Sequence, residues 1–283
     1  MDYVIFDLEW NGCFCQKLGC NINEIIEIGA VKLDNDLKEL NRFSMLIRPE
    51  ISKRISNPVK NLTSITFEEL QNGVPFDYAY SKFGKFCKDC ILMTWSMSDI
   101  DVLIWNIRYH FGSDRIEFMK MYADLQQYCH DVMNVSESNA LGLQNAAEYL
   151  DIDTFSIPQH RALDDSLLSA MCLRKIYRKE QLESYIKDVD DVFYEKLFFK
   201  PYIITDIENA DIDLSKISFD CEVCLCRAVR KNEWHEQFKS FTADFECPVC
   251  KRKFKGRIQF KQKYDRVDVS KKILTDKKKS SES

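Results

Sequence analysis

Two acidic residues stand two positions apart in an otherwise apolar run near the N-terminus, VIFDLE at residues 4–9. Successive side chains of a β-strand point to opposite faces, so a strand here would project Asp7 and Glu9 from one face, about 7 Å apart along the backbone. Carboxylates held that close repel each other and are destabilised when they lose solvent. A shared cation offsets both the repulsion and the lost solvation. These residues therefore indicate part of a metal site, with an edge strand carrying solvated acids as the alternative.

Two later segments could supply the remaining ligands. SMSD at residues 96–99 follows a predicted strand, and active-site residues collect at the C-terminal ends of strands in α/β sheets. HRALDD at residues 160–165 opens a predicted helix and offers two further acids. Acids in a first helical turn also interact favourably with the helix dipole, so helix capping is the alternative interpretation of both segments.

The elements that must position these acids follow from the alternation of apolar and polar residues. The predicted strands cover residues 3–9, 25–33, 40–47, 91–95 and 116–125. The predicted helices cover residues 67–70, 76–87, 99–111, 126–133, 141–150 and 166–177. Thr66 and Glu69 have the form of a capping box before the first helix, and residues 10–21 are predicted to be a polar loop. Strands followed by helices place the first 180 residues in the α/β class.

Asp-x-Glu on the first strand, an acid after the fourth strand and His-x4-Asp at the start of a late helix occur in this order over residues 1–178. In this combination the sequence resembles the DEDDh 3'-5' exonucleases, a DnaQ-like family with a ribonuclease-H-like fold. HRALDD is similar to the corresponding string of oligoribonuclease. Residues 95–103 are similar to the RNA-processing branch related to the enhanced-RNA-interference nucleases. The resemblance implies a mixed five-stranded sheet flanked by helices.

The resemblance also implies a role for each acidic residue. The predicted ligands of two Mg²⁺ or Mn²⁺ ions are Asp7, Glu9, Asp99 and Asp165. His160 is the predicted general base, and the Trp-x3-Asp spacing favours Asp99 over Asp101. Hard divalent cations prefer carboxylate oxygens, and a pair of them can activate water and neutralise the charge that builds on a phosphate. The expected reaction is hydrolysis from a free 3' end with release of 5'-mononucleotides.

Three further residues are expected near the substrate if the resemblance holds. Trp10 and Asn11 follow the acidic pair and could stack on, or hydrogen-bond to, the terminal nucleotide. Leu62 could wedge between the last two bases. Trp10 is a departure, because many members of the family have threonine there.

Two CxxC pairs separated by 22 residues indicate a second metal site near the C-terminus. In a reduced chain this pattern is typical of a closed zinc ribbon with four cysteine ligands. The predicted ligands of one structural Zn²⁺ are Cys221, Cys224, Cys247 and Cys250. Cys226 and His235 are alternative ligands. Cys13, Cys15 and Cys20 match no common zinc module and are expected to be free thiols.

Basic and apolar residues alternate after the second CxxC pair, in KRKFKGRIQFK at residues 251–261. A strand here would have one charged face, and with Phe254 and Phe260 it could contact a phosphate backbone or stacked single-strand bases. A solvated strand beside the zinc is the alternative. The C-terminal part of the chain is basic and the rest is acidic. Residues 226–283 carry 17 Lys+Arg and 8 Asp+Glu, whereas residues 1–225 carry 23 Lys+Arg and 37 Asp+Glu.

Length and composition fit a globular protein of about two domains. No basic leader precedes the first apolar run and no apolar stretch approaches the ~18 residues of a membrane span, so a cytoplasmic location, reduced cysteines and no membrane partner are expected. The expected division is an exonuclease domain, an acidic helical connector, a zinc ribbon and a basic disordered tail, at residues 1–180, 181–217, 218–270 and 271–283.

Single-stranded nucleic acid is the expected partner, with RNA favoured by the branch resemblance alone. One alternative is a DNA 3'-5' exonuclease in proofreading or repair. A second is a nucleic-acid-binding adaptor that has lost activity, against which the presence of all five expected catalytic residue types argues.

Overall fold

A computed structural model describes residues 1–135, 141–154 and 160–274 of the chain. The chain divides into two compact units, residues 1–194 and residues 195–283. Each unit has its own β-sheet. Among the helices of the described residues, none combines the length and the apolar character that crossing a lipid bilayer requires.

The first unit is built on a mixed sheet with the strand order β3-β2-β1-β4-β5-β6. Its strands are β1 (Asp2–Cys15), β2 (Cys20–Leu33), β3 (Glu39–Leu46), β4 (Cys90–Thr94), β5 (Met121–Asp124) and β6 (Lys187–Asp188). The first three strands are antiparallel, while β4 and β5 run parallel to β1. The α/β class and the existence of the five predicted strands are confirmed, although the fifth covers only Met121–Asp124 of the predicted residues 116–125, and the two-residue strand β6 adds a short antiparallel edge.

Nine helices are described along the chain. They are α1 (Asn57–Thr63), α2 (Phe67–Gln71), α3 (Phe76–Phe86), α4 (Ser98–Phe111), α5 (Leu125–Val132), α6 (Leu143–Tyr149), α7 (Ala162–Ile176), α8 (Lys179–Glu183) and α9 (Asp191–Phe198). The predicted capping box starts α2, because the Glu69 N–H donates to the Thr66 hydroxyl while the Thr66 N–H donates to the Glu69 carboxylate. Helix α7 begins four residues before its predicted start.

Strand β1 lies inside the sheet and is buried on both faces. Tyr3 and Ile5 belong to a core cluster that includes residues of α5, α6 and α7. Phe6 points to the other face, where its ring lies 5.2 Å from that of Phe83 on α3. Because side chains alternate along a strand, Asp7 and Glu9 continue the row of Tyr3 and Ile5, on the face that α7 covers.

The β1–β2 hairpin is longer than the sequence indicated. Residues 10–15 continue β1 and pair back with β2 as far as Cys15 opposite Cys20, so the polar loop predicted for residues 10–21 is wrong. A register shift after Glu9 marks a β-bulge. Polar side chains hid the strand pattern, although Asn11 and Cys15 are buried at the alternating positions that a half-buried strand requires.

The second unit contains a small antiparallel sheet in which β12, β11, β10 and β8 are neighbours. Its strands are β7 (Tyr202–Ile204), β8 (Val229–Arg230), β9 (His235–Gln237), β10 (Ser240–Glu246), β11 (Lys253–Gln262) and β12 (Val267–Leu274). Strand β7 also pairs with β11, and β9 pairs with β10. The core of this unit contains Phe241, Phe245, Phe254 and Phe260.

The boundaries of the expected connector and tail differ from those of the units. Residues 181–194 belong to the first unit, where β6 pairs with β5, and the rest of the connector belongs to the second unit, where β7 pairs with β11. Residues 271–274 extend β12 rather than beginning a tail, because their backbone is paired with β11. The remainder of the predicted tail, residues 275–283, lies outside the described residues.

Candidate active site

Three carboxylates meet where β1 faces the first turn of α7. Oxygen atoms of Asp7, Glu9 and Asp165 all lie within 4.8 Å of one another. Two of these residues come from β1 and the third from α7, so residues more than 150 positions apart in the chain share one small volume. The alternation along β1 predicted the first pair, and the structure brings the third acid to it.

Gly29 allows α7 to approach the sheet closely enough to deliver Asp165. It stands directly opposite Asp7 in the β1–β2 ladder. A Cβ atom at Gly29 would lie 2.0 Å from the backbone nitrogen of Leu163, a distance that no side chain could occupy. The Ser166 hydroxyl donates to the Gly29 carbonyl oxygen at 3.0 Å, which fixes the contact.

Asp99 is positioned by a backbone hydrogen bond from the strand that carries the acidic pair. The Leu8 N–H donates to Asp99 Oδ1 at 3.1 Å. The ladder between β1 and β4 ends at Ile5, so this amide lies beyond the paired region. Asp99 is buried in the first turn of α4, whereas Asp101 is exposed. Of the two rival acids, Asp99 is therefore the one beside the acidic pair.

Burial and mutual repulsion raise the pKa of all four acids. Burial, followed by the charges of Asp99 and Asp165, raises the pKa of Asp7 well above its usual range. Burial is also the largest cause for the other three, raising the pKa of Glu9 to about 8, that of Asp99 to about 7 and that of Asp165 to about 6. Such a group of carboxylates is stable in its ionised form only when a cation neutralises it.

The donor set fits hard divalent cations. It consists of carboxylate oxygens alone, which Mg²⁺ and Mn²⁺ prefer over sulfur and nitrogen ligands. The residues that could hold such ions are Asp7, Glu9, Asp99 and Asp165.

His160 has a strained backbone conformation two residues before α7. His160 has a φ of 63°, in the left-handed region that residues other than glycine seldom adopt. Its charge and its backbone hydrogen bond both lower the pKa of Asp165, so His160 lies beside the acids as expected. A strained backbone of this kind persists only where neighbouring contacts hold it.

Glu27 and Arg161 supply that contact, and the sequence did not indicate them. The Arg161 guanidinium donates to both carboxylate oxygens of Glu27, at 2.9 Å and 2.7 Å, and the Ala162 N–H adds a third hydrogen bond at 3.3 Å. Glu27 stands opposite Glu9 in the ladder and is buried. The available signal was a single acid inside the apolar run of residues 25–31.

Asn11 does not face the site as predicted. It is 2 % exposed, and its amide nitrogen donates to the Ser52 hydroxyl and the Arg54 carbonyl oxygen while its oxygen accepts from the Ser56 N–H. The prediction that Asn11 contacts a nucleotide is therefore wrong, because the side chain instead holds the segment before α1.

The other two predicted substrate residues remain accessible. Leu62 on α1 is 52 % exposed, and Trp10 is half-buried beside Glu9 on β1. Their contact with a substrate stays a prediction.

The two CxxC pairs converge in the second unit. The sulfur atoms of Cys221, Cys224, Cys247 and Cys250 all lie within 4.8 Å of one another. Three of their separations are 3.5, 3.2 and 3.8 Å. Four sulfurs placed tetrahedrally about 2.3 Å from a zinc ion would be roughly 3.8 Å apart, so the group fits zinc. Cys226 and His235, the alternative ligands, lie outside this group among the described residues.

The same backbone turn follows each CxxC pair. Leu225 and Lys251 follow the second cysteine of each pair and have φ values of 57° and 58°. The Leu225 N–H donates to the Cys221 carbonyl, and the Lys251 N–H donates to the Cys247 carbonyl. Backbone N–H groups, of Cys224 first and then of Val223, lower the pKa of the Cys221 thiol.

The cysteines of the first unit lie apart from this group. Cys13, Cys15 and Cys20 lie on the β1–β2 hairpin, and within the described chain they belong to no group close enough to hold a metal. Cys87 and Cys90 are buried at the end of α3 and the start of β4, and burial raises the pKa of both thiols.

The fold and the acidic site define a member of a nuclease class. The Exonuclease family (RNase_T) matches residues 4–173, and the chain belongs to this family. The predictions of a DEDDh-type exonuclease fold and of a hydrolase are confirmed.

Similar proteins include bacterial polymerases of much greater length. DNA polymerase III PolC-type of Clostridium perfringens is 29 % identical over 194 residues, which cover 66 % of this chain and 12 % of the relative. The enzyme of the same description from Lactococcus lactis is 32 % identical over 136 residues, covering 44 % and 8 %. The chain thus spans a small part of these curated relatives.

Similar solved structures share the fold. The nuclease domain of 3'hExo, described as a DEDDh family member bound to rAMP, has a TM-score of 0.55 and 22 % identity and covers 66 % of this chain and 96 % of its own. A 3'-exonuclease described in recognition of the histone mRNA stem-loop has a TM-score of 0.54 and 20 % identity, covering 68 % and 91 %. Cell-death related nuclease 4 has a TM-score of 0.52 and 20 % identity, covering 62 % of each chain.

Proposed function

We propose that this protein is a metal-dependent 3'-5' exonuclease that removes 5'-mononucleotides from single-stranded nucleic acid, with RNA favoured. The observation that carries the proposal is the group of half-buried carboxylates from β1 and α7, beside which the buried Asp99 accepts a hydrogen bond from the Leu8 N–H between the acidic pair. Carboxylates that repel one another this strongly are stable in their ionised form when they bind a cation.

Each residue of the site has a proposed part in the reaction. Asp7, Glu9, Asp99 and Asp165 would hold two Mg²⁺ or Mn²⁺ ions, which supply an activated water molecule and neutralise charge on the phosphate. His160 would accept the proton of the attacking water, and its position beside Asp165 keeps it at the site.

Two residues would act on the nucleotides themselves. Trp10 would stack on the terminal nucleotide, and the exposed Leu62 would separate the last two bases. Both contacts place the 3' end, rather than an internal bond, at the acids.

A DNA exonuclease in proofreading or repair is the second candidate. The PolC-type relatives favour it, because they are described as DNA polymerases. The RNA preference is supported by the branch resemblance of HRALDD and residues 95–103, and by similar structures whose descriptions name rAMP and a histone mRNA stem-loop. An inactive adaptor is less well supported, because the full set of acids and His160 is present.

The test uses one sequence made as single-stranded RNA and as DNA, each labelled at the 3' end or at the 5' end. We expect Mg²⁺ or Mn²⁺ to release the 3' label as a mononucleotide at the earliest times, while the 5' label remains on a shortening ladder. EDTA should stop both reactions. Faster loss of DNA would favour the second candidate, and early release of the 5' label would contradict the proposed direction. The Asp7→Asn variant, purified identically, controls for contaminating nucleases.

We further propose a structural zinc ion at the four-cysteine group and a cytoplasmic location. A closed shell of four thiolates leaves no position for substrate, which supports a structural rather than a catalytic role. All twelve cysteines lie in the described part of the chain, and all are free thiols, as expected for a reducing compartment. The division of labour would be a nuclease in the first unit and a zinc ribbon in the second.

A further inference from the structure

One face of β11 carries only polar and basic side chains. Lys253, Lys255, Arg257 and Lys261 are exposed and Gln259 is half-buried on the same face, whereas the residues that alternate with them are buried, most of them in the core of the second unit. Alternation along a strand therefore spaces the first three cations about 7 Å apart and places Lys261 about 13 Å beyond Arg257. Strand β12 adds Lys272, which stands directly opposite Arg257. We name these five residues the basic face.

The basic face lacks protein counter-ions at its centre. None of the ion pairs described between residues 195 and 274 involves one of its members. Glu246, Asp244 and Asp268 stand directly opposite Lys253, Lys255 and Lys261, whereas Arg257, which donates to the Ser240 hydroxyl, stands between Thr242 and Lys272. Like charges directly opposite each other in a sheet are destabilising, so an external anion would stabilise this arrangement.

The aromatic residues of β11 cannot contribute to such a surface by stacking. Phe254 and Phe260 are 8 % and 2 % exposed, on the opposite face of the strand. The expectation that they interleave with the charges as a stacking platform is therefore wrong, because in a strand adjacent residues face opposite ways.

A different aromatic residue lies at the margin of the basic face. Phe238, in the two-residue turn between β9 and β10, is 94 % exposed and has a φ of 53°. Such turns normally select glycine or asparagine, so neither burial nor turn chemistry accounts for a phenylalanine here. The Gln259 amide of β11 donates to the carbonyl oxygen of Lys239 in this turn, which ties the turn to the basic face.

We propose that the basic face and Phe238 form a binding surface for single-stranded nucleic acid, separate from the carboxylate site. The cations would contact successive phosphates, and Phe238 would stack on one base. Backbone contacts carry no sequence information, so binding should be independent of sequence and strongly dependent on salt. The surface would bind the class of molecule that the proposed exonuclease degrades, but its occupancy does not require hydrolysis.

The first test measures affinity without turnover. The full chain carrying Asp7→Asn is titrated with a labelled 30-nucleotide strand, without added divalent ions, over a series of salt concentrations. Adding Lys255→Gln, Arg257→Gln and Lys272→Gln should lower the affinity and reduce the slope of log K against log[salt] by about 2, since each phosphate contact to a single strand contributes ~0.7.

The matched control removes three other exposed charges from the same unit. Lys200→Gln, Lys216→Gln and Lys251→Gln change the net charge equally but lie off the basic face. They should leave the slope within about 0.5 of its original value. Equal losses in both triple variants would show only general charge attraction and would overturn the proposal, as would an unchanged slope in the first. Zinc content and the melting temperature establish that each variant is folded.

The second test isolates the stacking contact. Phe238→Ala should weaken binding of the single strand about 5- to 150-fold while leaving the salt slope unchanged. Binding of duplex, whose bases are already stacked, should not change. Equal binding of the single strand by the parent and by Phe238→Ala would remove this residue from the surface. If both binding tests succeed while hydrolysis is never detected, the proposed function fails and this surface stands.

Discussion

The two metal-type sites of this protein are built in opposite ways. The acids come from β1, α4 and α7, are half-buried except for the buried Asp99, and have raised pKa values because loss of solvent and repulsion oppose their ionisation. The cysteines come from two local turns of the second unit, and backbone N–H groups lower the pKa of Cys221. One site is destabilised when its ligands are charged without a cation, whereas in the other the backbone favours the thiolates of Cys221 and Cys224.

This difference separates a site kept for its chemistry from a site kept for stability. Partly desolvated carboxylates that repel one another reduce the stability of the metal-free fold, so the fold retains them for a reason other than stability. A metal ion bound by the four cysteines would add its binding free energy to the stability of the fold. Four changes test this contrast, and they are given in order of expected effect.

Asp7→Asn should have the largest effect on activity and almost none on the fold. Loss of one ligand from the centre of the carboxylate group should lower kcat about a thousandfold or more, because cation-mediated stabilisation of the phosphate amounts to several kcal/mol. The melting temperature of the metal-free protein should stay equal or rise, because a repelled buried carboxylate is removed. The measurements are single-turnover hydrolysis and thermal melting, and a lower melting temperature would show that Asp7 is needed for folding.

The double variant Cys247→Ser, Cys250→Ser should disrupt the fold of the second unit and leave activity almost unchanged. We expect elemental analysis to show the loss of one zinc ion per chain and the second unit to unfold, because two of four ligands are removed. Hydrolysis of a dinucleotide should stay within about twofold, since it needs only the carboxylate site. Cys13→Ser with Cys20→Ser is the matched control and should retain all zinc. Unchanged zinc content in the first double variant would refute the assigned ligands.

Arg161→Lys sharpens the comparison within the first site, because it tests how the strained turn at His160 is held. Lysine keeps the charge but cannot bind both oxygens of Glu27, so kcat should fall about 10- to 100-fold with little change in KM. Arg161→Gln should be worse, because Glu27 would remain buried without a partner. Added guanidinium should restore part of the activity of an Arg161→Ala variant. A change confined to melting temperature would mean that the pair is only structural.

The change of stability with pH should be the smallest of the four effects, but it tests the raised pKa values of the acids most directly. Folded-state pKa values of about 6 to 8 for Asp165, Asp99 and Glu9 exceed their ordinary values, so the folded metal-free protein binds more protons than the unfolded chain. Its stability should therefore be highest near pH 4 and fall as the pH rises to about 8. The melting temperature should drop by several degrees from pH 5 to 8, and Mg²⁺ should raise it more at pH 8. A flat profile would show that folding does not raise the pKa values of these acids.

Local patterns in the sequence predicted the parts of both sites that one element supplies. The Asp-x-Glu alternation placed Asp7 and Glu9 on one face of β1, and the two CxxC pairs predicted the cysteine group. Capping of α2 by Thr66 was equally local. In each case the relevant geometry is a property of a strand, a turn or a first helical turn.

Contacts between distant elements were not predictable in the same way. Glu27 and Arg161 are separated by 134 positions, and nothing in either segment indicates the other. Asn11 was misassigned because its partners lie more than 40 residues away, at Ser52, Arg54 and Ser56. The extension of β1 to Cys15 was missed because polar residues on a paired strand resemble a loop.

Because Gly29 has no side chain, it determines how closely α7 can approach the sheet of the nuclease unit. A single methyl group would have to share space with the backbone of Leu163, so the helix would be displaced from the strand and Asp165 would move with it. All four predicted metal ligands would still be present in the sequence, yet they would lie too far apart to bind the proposed ions. Catalytic competence can thus be lost at a residue that has no functional group at all.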